Sequence, residues 1–270
     1  MNRFEFIKRH IDENLISALD SFNLTNNQTE FIKSNFDLLE CNKIKVFLSY
    51  SSKDKKIVSN LKEALTHLGL ESFMAHDDIQ PSEEWQNRIL SELRELQIFI
   101  AVMTKNFSKS DWTNQEVGAA IIRDVIVIPV SLAYEDDVFV VPKGFIGKYQ
   151  SLKIKINKIN GDPQPDATGI FQREICKTLV QKSSIVEALR NCYVNTLTNS
   201  SSYAESNSIT DSIDLLKPFN VKQLRMIMLS YLLNDQIYAP ARSSSAIKSI
   251  LRENLDKLDN DSQSIAKLIL

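Results

Sequence analysis

Trp112 and Glu116 lie four residues apart in DWTNQEVGAA (111–120), and they are the clearest candidates for chemistry in the chain. A carboxylate beside an aromatic ring can stabilise the oxocarbenium-like transition state of a breaking glycosidic bond, by charge and by hydrogen bonds to ribose hydroxyls. The aromatic ring supplies a flat apolar surface for stacking. The same stretch also fits a capping box, in which Thr113 and Glu116 satisfy backbone N–H groups at a helix start. Spacing alone favours the capping interpretation.

Other residues that often carry chemistry occur here in ordinary settings. His76 and the adjacent pair Asp77–Asp78 fall in a predicted loop, where solvated side chains and turn formers are the favoured interpretation. Ser51–Ser52 and Asp54 follow the first predicted strand, where a helix N-terminus attracts anions such as phosphate, although a simple helix cap is the alternative. The six glycines form no phosphate-binding loop of the usual kinds, and no serine or cysteine is set as a nucleophile.

The composition is that of a soluble globular protein. The 270 residues are 43% hydrophobic and 24% charged, and the net charge of −2 gives no general electrostatic case for nucleic acid or an anionic membrane. Cys41, Cys176 and Cys192 are too widely spaced for a disulfide framework or a metal site, so we expect three reduced thiols. No apolar run approaches the ~18 residues of a membrane span. The N-terminus lacks the apolar core of a signal peptide, and we expect a cytoplasmic protein.

Short apolar segments alternate with amphipathic ones in the middle of the chain. Strands are predicted at 43–50, 70–75, 97–104, 124–132 and 149–156. Helices are predicted at 51–69, 83–96, 112–123 and 170–190. This alternation predicts an α/β domain with a parallel sheet, helices on both faces and ligands at the carboxyl ends of the strands.

The flanking regions are predicted to be helical. Residues 1–42 form an N-terminal extension of two short helices, in which Thr25 and Gln28 fit a capping box. Residues 191–212 are rich in Ser and Asn, a composition typical of a linker, and residues 213–270 form a small helical C-terminal element. Core packing is favoured for its one apolar face, which comprises Leu224, Ile227, Met228, Tyr231 and Leu232.

Four segments resemble, in order and spacing, the Toll/interleukin-1 receptor (TIR) domain of the bacterial kind: KVFLSYSSKD, LGLESFMAHDDIQPSEEW, IFIAVMTKNFSKSDWTNQEVGAA and VIVIPV. The resemblance covers residues 43–190 and implies the TIR fold, a flavodoxin-like five-stranded parallel sheet with helices on both faces. SDWTNQEVGAA resembles the W-x-x-x-E helix of the enzymatic branch of the family. That branch cleaves the nicotinamide–ribose bond of NAD+, which implies an NAD+ glycohydrolase or cyclase.

The resemblance also implies roles for individual residues. Glu116 is the implied catalytic carboxylate. The implied substrate-binding residues are Trp112, Phe73, Tyr50, Ser49 and Ser51. Animal members carry basic residues just after the first strand, where this chain has Ser51–Ser52, so helix N–H groups are the expected holders of the pyrophosphate. No metal and no cofactor is implied, because NAD+ is the substrate.

The family implies homo-oligomers through TIR–TIR contacts, partly through the loop AHDDIQPSEEW, and antiphage defence by NAD depletion or a cyclic ADP-ribose-type signal. We hypothesise that the helical ends bind a regulatory protein or ligand, and no direct binding of nucleic acid or membrane is expected. Two other interpretations stay open. One is a non-catalytic TIR scaffold or effector that acts through TIR–TIR interaction, and the other is a nucleoside-processing enzyme that uses the same carboxylate.

Overall fold

The computed structural model describes residues 1–74, 85–134, 137–159, 162–163 and 166–270. The helices found in these residues are α1 Arg3–Arg9, α2 Ile11–Phe22, α3 Asn26–Asn35, α4 Lys55–His67, α5 Trp85–Glu95, α6 Asp111–Ile122, α7 Asp166–Leu179, α8 Val186–Thr198, α9 Tyr203–Thr210, α10 Val221–Leu233, α11 Asp235–Tyr238, α12 Ala241–Glu253 and α13 Asn260–Ile269. The strands are β1 Lys45–Ser49, β2 Glu71–Met74, β3 Ile98–Met103, β4 Ile126–Tyr134, β5 Leu152–Ile156, β6 Lys158–Ile159 and β7 Asp162–Pro163.

Contacts between residues divide the chain into two compact units. The helical unit comprises Met1–Asn42, His67–Gly69 and Cys176–Leu270, and the sheet unit comprises Lys43–Thr66 and Leu70–Ile175. The helical unit therefore combines residues that precede and follow the sheet unit in sequence. Among the described residues, no helix combines the length and the apolar character needed to cross a membrane.

The main sheet of the sheet unit has the order β2-β1-β3-β4-β5, and every neighbouring pair is parallel. β1 pairs with both β2 and β3, so the strand order reverses at β1. In open α/β sheets such a switch point forms a crevice at the carboxyl ends of the strands, where ligands bind. Ser49, the last residue of β1, pairs with Ala101 of β3 at this point. The predicted flavodoxin-like five-stranded sheet is confirmed.

Side chains of the central strands explain why both faces of this sheet are covered. All six residues of β3 are buried, which requires packing on each face. On one face, Phe47 stacks against Phe99 with ring centroids 5.8 Å apart, and both belong to a hydrophobic core shared with α5 and α6. Val46 and Leu48, which alternate with Phe47 along β1, are buried on the opposite face.

Two predicted helices differ from the observed ones. The helix expected over 51–69 begins only at Lys55, after a 3-10 turn at Ser52–Asp54. The helix expected over 170–190 is two helices, α7 and α8, because the chain turns between them and the Ile185 N–H donates to the Lys182 carbonyl at 3.1 Å. Ser183–Ser184 lies in this turn, where serine hydroxyls compete with helical backbone hydrogen bonds.

The N-terminal extension contains three helices, because the predicted first helix ends at Arg9 and a new one begins after His10. The capping box of α3 is confirmed, since the Thr25 hydroxyl accepts from the Gln28 N–H and the Gln28 amide oxygen accepts from the Thr25 N–H. α10 is buried on all sides from Met226 to Leu233, and all five apolar residues singled out from its sequence are buried as expected.

The structure corrects the linker predicted at residues 191–212. This segment contains the second half of α8 and all of α9. Five of its polar side chains are buried, namely those of Thr198, Ser200, Ser206, Thr210 and Ser212. The hydroxyls of Ser200 and Ser206 bond to each other at 2.8 Å, and those of Thr198 and Ser230 bond at 2.7 Å. Asn234 donates to the Ser200 carbonyl at 3.0 Å. Because these polar groups satisfy one another, a serine-rich segment can lie inside the fold.

The expectation of three reduced thiols is also corrected. A disulfide joins Cys41 to Cys192, whose Cα atoms are 5.3 Å apart, and Cys176 is free and buried. Both bonded cysteines belong to the helical unit. The spacing of 151 residues between them gives no sequence signal for this pairing.

Gly69 carries a specific requirement for glycine. Its φ is +78°, and a Cβ at this position would lie 2.6 Å from the carbonyl carbon of Cys192, a backbone atom that cannot move aside. We expect Gly69→Ala to lower the free energy of unfolding by at least about 2 kcal/mol, from the left-handed backbone and the collision together. Urea denaturation measures this difference.

Gly169→Ala is the matched control, since Gly169 lies in α7 and a Cβ there meets nothing within 4 Å. It should raise the free energy of unfolding by roughly 0.5–1 kcal/mol through helix propensity. Equal effects of the two substitutions would contradict the close approach at Gly69.

Candidate active site

The end of β1 forms the floor of the candidate site. Ser49 is 1% exposed, and Tyr50 and Ser51, which follow it, are also buried. Ser51 precedes the 3-10 turn at Ser52–Asp54, and its side chain makes no capping hydrogen bond. Their burial leaves these three predicted substrate-binding residues little surface for a ligand.

Hydrogen bonds of Asp54 link this end of β1 to the end of β3. Its carboxylate is buried and accepts hydrogen bonds from the Thr104 hydroxyl at 2.6 Å and from the Asn106 side-chain amide at 3.0 Å. Both donors follow β3, whose last residue is Met103. The carboxylate thus fixes two strand ends against each other, and its negative charge does not favour the anion site considered for Ser51–Ser52 and Asp54.

The start of α6 decides between the two interpretations of Trp112 and Glu116. The helix begins at Asp111 with Ser110 as N-cap, and the Ser110 side chain makes no capping hydrogen bond. The Thr113 hydroxyl donates to the carbonyls of Phe107 at 2.8 Å and of Ser110 at 2.9 Å, so it does not cap an N–H group. The capping interpretation of Thr113 and Glu116 is therefore wrong.

Glu116 turns instead towards β1. It is 6% exposed, and its Oε2 atom accepts a hydrogen bond from the Ser49 hydroxyl at 2.6 Å. Burial raises the pKa of Glu116 from 4.5 to about 7, while the Ser49 hydrogen bond opposes this rise. Burial disfavours the charged form because the carboxylate loses its hydration. A carboxyl group that titrates near neutral pH in a recess is typical of a catalytic site.

A cavity of about 290 Å³ lies between α5 and α6, and Glu116 forms part of its wall. From α6 it is lined by Trp112, Gln115 and Glu116, and from α5 by Ile89, Leu93 and Gln86 among others. Trp112 is 39% exposed, and it lines the same cavity as the Glu116 carboxylate. The cavity therefore places a buried acid, an aromatic face and two amide groups around one small volume.

A second cavity, of about 330 Å³, lies against other residues of α6, among them Asn114 and Val117. The described residues that line it include Lys143 but no Asp or Glu. The carboxylate chemistry predicted from the sequence thus belongs to the cavity beside Trp112.

Phe73 lies in the core beneath the site. Its ring is 5.5 Å from that of Phe47, and the guanidinium group of Arg88 lies 5.7 Å from its centre. Like Ser49, Tyr50 and Ser51, it is not among the residues that line the cavity beside Glu116. The family resemblance implied that these four residues bind the substrate. Of the predicted site residues, the structure places Trp112 and Glu116 in the cavity wall.

Some predicted features lie outside the described residues. They are His76, Asp77–Asp78 and most of the loop AHDDIQPSEEW, for which a TIR–TIR contact was expected. In the part of the chain that the structure describes, no group of three His, Cys, Asp or Glu side chains is arranged to hold a metal ion.

The family assignment follows from a comparison with known proteins. Residues 46–161 match the family model of the TIR domain, and this segment contains the β1–β5 sheet apart from Lys45, the first residue of β1. Residues 46–161 are a TIR domain. Both Ser49 and Glu116 lie within it, whereas most of the helical unit lies outside.

Solved structures of TIR domains are similar to this chain at low identity. The TIR domain of the Toll-related receptor TRR-2 from Hydra magnipapillata has 18% identity and a TM-score of 0.37, and the match covers 50% of this chain and 96% of that one. The TIR domains of the activated Roq1 resistosome, which recognises the pathogen effector XopQ, have 18% identity and a TM-score of 0.32. That match covers 64% of this chain and 98% of the other. Among curated proteins, no sequence matches.

Proposed function

We propose that the TIR domain cleaves the nicotinamide–ribose bond of NAD+ and that Glu116 is the catalytic carboxylate. The observation that carries this proposal is the buried Glu116 carboxyl group, which titrates near neutral pH in the wall of a cavity beside an exposed tryptophan. The buried carboxylate of Asp54, by comparison, accepts hydrogen bonds from Thr104 and Asn106, which join two strand ends.

The chemistry follows from charge. NAD+ carries its positive charge on the nicotinamide ring, and as the C1′–N bond breaks this charge passes to the ribose while neutral nicotinamide leaves. Ionised Glu116 stabilises the oxocarbenium-like ribose and accepts hydrogen bonds from the ribose hydroxyls. Water then attacks C1′ and loses a proton, which gives ADP-ribose. Attack by the adenine of the same molecule gives a cyclic product instead.

The dimensions of the cavity fit part of the dinucleotide. Its volume of about 290 Å³ is at the lower end of small-molecule sites, so it suits the nicotinamide–ribose half of the substrate. The face of Trp112 would stack on the nicotinamide ring, and the side-chain amides of Gln86 and Gln115 supply neutral hydrogen-bonding groups at the same wall.

Substitution of Trp112 tests this stacking. We expect Trp112→Ala to raise the KM for NAD+ by roughly 3- to 10-fold, because ring stacking contributes about 0.5–1.5 kcal/mol, and Trp112→Phe to recover most of the loss. Initial rates over a range of NAD+ concentrations measure both values. Phe145→Ala is the control, since Phe145 is an exposed aromatic residue that does not line the cavity. A rise in KM for the control as well would contradict the stacking role of Trp112.

The wider proposal is a cytoplasmic enzyme of antiphage defence, active as a homo-oligomer through TIR–TIR contacts. Its output would be NAD depletion or a cyclic ADP-ribose-type signal, controlled by a protein or ligand that binds the helical unit. The second candidate function is a non-catalytic TIR scaffold, and the third is cleavage of other N-glycosides.

One assay separates these functions. Purified protein is incubated with NAD+, at high concentration and with a crowding agent to favour assembly, and the products are separated by chromatography. Release of nicotinamide supports the proposal, and the accompanying ADP-ribose or cyclic isomer identifies the product. No release under any of these conditions favours the scaffold, and faster cleavage of inosine or adenosine than of NAD+ favours a nucleoside-processing enzyme.

A further inference from the structure

The hydrogen bond between Ser49 and Glu116 joins two residues that are 67 positions apart. Ser49 is held at the switch point of the sheet, where its backbone pairs with Ala101 of β3. An ionised carboxylate only accepts hydrogen bonds, so in this form of the site the Ser49 hydroxyl is the donor. The contact therefore anchors one oxygen of Glu116 to the end of β1, a strand that is paired on both sides.

The two carboxylate oxygens have different surroundings. Oε2 accepts from Ser49 at 2.6 Å, whereas no donor of the described residues reaches Oε1. Glu116 lines the cavity and Ser49 does not. Ser49 thus bonds to Glu116 from outside the cavity lining, and Oε1 stays available to a ligand in the cavity.

We propose that Ser49 is a positioning residue. Its hydroxyl holds Oε2 of Glu116 so that Oε1 is presented to the ribose, and the same hydrogen bond favours the ionised form of the carboxyl group. This role rests on the proposed function and replaces the direct substrate contact that the family resemblance implied for Ser49. The hydroxyl acts only through Glu116.

Among the described residues, no charged side chain shifts the pKa of Glu116 beside Ser49. Burial and the Ser49 bond are the two causes that set the pKa of Glu116, and the cavity lining contributed by α5 and α6 is otherwise neutral. On α5, Arg88 pairs with Glu92 at 2.8 Å and Glu95 pairs with Lys45 of β1. On α6, Arg123 donates to the Leu93 carbonyl at 2.5 Å. Removal of the serine hydroxyl should therefore change the titration of Glu116 directly.

The test is the pH dependence of Ser49→Ala. Loss of one charge-assisted hydrogen bond should raise the titration midpoint of Glu116 by roughly one pH unit. If Glu116 acts ionised, kcat/KM for NAD+ then falls about 5-fold at pH 7 and hardly at all at pH 9, because only the ionised fraction changes. Ser49→Thr keeps the hydroxyl and should restore the wild-type profile. Ser131→Ala is the matched control, since Ser131 is also a buried strand serine, with one hydrogen bond of 2.8 Å to the Val140 carbonyl.

A second measurement separates this proposal from the proposed function. The carboxyl carbon of Glu116 is titrated by 13C NMR in the full chain, with and without Ser49→Ala, and this readout needs no catalysis. A raised NMR midpoint supports the role of Ser49 in holding Glu116. If the midpoint rises but neither protein cleaves NAD+, the proposed function fails while the contact between these residues stands. An unchanged midpoint, or a loss of activity that is equal at every pH, overturns the proposal for Ser49.

Discussion

Glu116→Gln is expected to lower kcat for nicotinamide release by about 10³-fold, with a small change in KM. Glutamine has nearly the same shape, so it can still accept a hydrogen bond from Ser49 and fill the same buried space. It carries no charge, however, and cannot stabilise the positive ribose in the transition state. Single-turnover measurements with NAD+ give the rate of the chemical step for both proteins.

Glu71→Gln is the control for this substitution. Glu71 lies in the same unit on β2, where its half-exposed side chain pairs with Lys43 at 3.0 Å. It should keep the wild-type rate. A Glu116→Gln protein that releases nicotinamide as fast as the Glu71→Gln protein would show that the carboxylate of Glu116 takes no part in the reaction.

The same substitution is expected to stabilise the fold at alkaline pH. The pKa of Glu116 is raised from 4.5 to about 7 in the folded protein, so the native state binds a proton that the unfolded chain releases. The stability that this group contributes is complete below pH 4.5 and is lost as the pH rises through 7. A difference of this size corresponds to about 3 kcal/mol. Glu116→Gln avoids the loss, because its side chain stays neutral.

Urea denaturation at pH 4, 6 and 8 measures the effect. The difference in the free energy of unfolding between Glu116→Gln and the wild type should grow from a small value at pH 4 to about 3 kcal/mol at pH 8. Glu253→Gln is the control of opposite sign, since Lys217 and Ser249 lower the pKa of Glu253 and its substitution should destabilise at pH 8. A constant difference for Glu116→Gln across the three pH values would contradict a buried carboxyl group that titrates near neutrality.

Periodicity predicted the sheet unit well, because each strand carries its own signal. The six buried residues of β3 and the alternation around Phe47 are visible as apolar runs of the right length. Helices α4 and α5 also show an apolar stripe along one side. Composition misled at residues 191–212, since a count of serines does not reveal that Ser200 and Ser206 bond to each other inside the fold.

The site was predicted only in part, for a related reason. Trp112 and Glu116 share one turn of α6, so their spacing in sequence implies proximity in space. The contact of Glu116 with Ser49 depends on how α6 packs against β1, and that of Asp54 with Thr104 depends on the pairing of β1 with β3. Local patterns hold no information about such contacts. The same limit applies to Cys41 and Cys192.

The helical unit is built from segments that lie far apart in the sequence, and this has a consequence for its synthesis on the ribosome. The Phe4 N–H donates to the Asn199 side chain at 2.9 Å, and Leu39 and Asn195 exchange hydrogen bonds of 3.0 and 2.8 Å. The first three helices therefore emerge from the exit tunnel long before their partners are translated. At about 5–20 residues per second this interval lasts on the order of ten seconds or more. The sheet of the TIR domain can fold during this interval, whereas the amino-terminal helices cannot make these contacts until Asn195 and Asn199 have been translated.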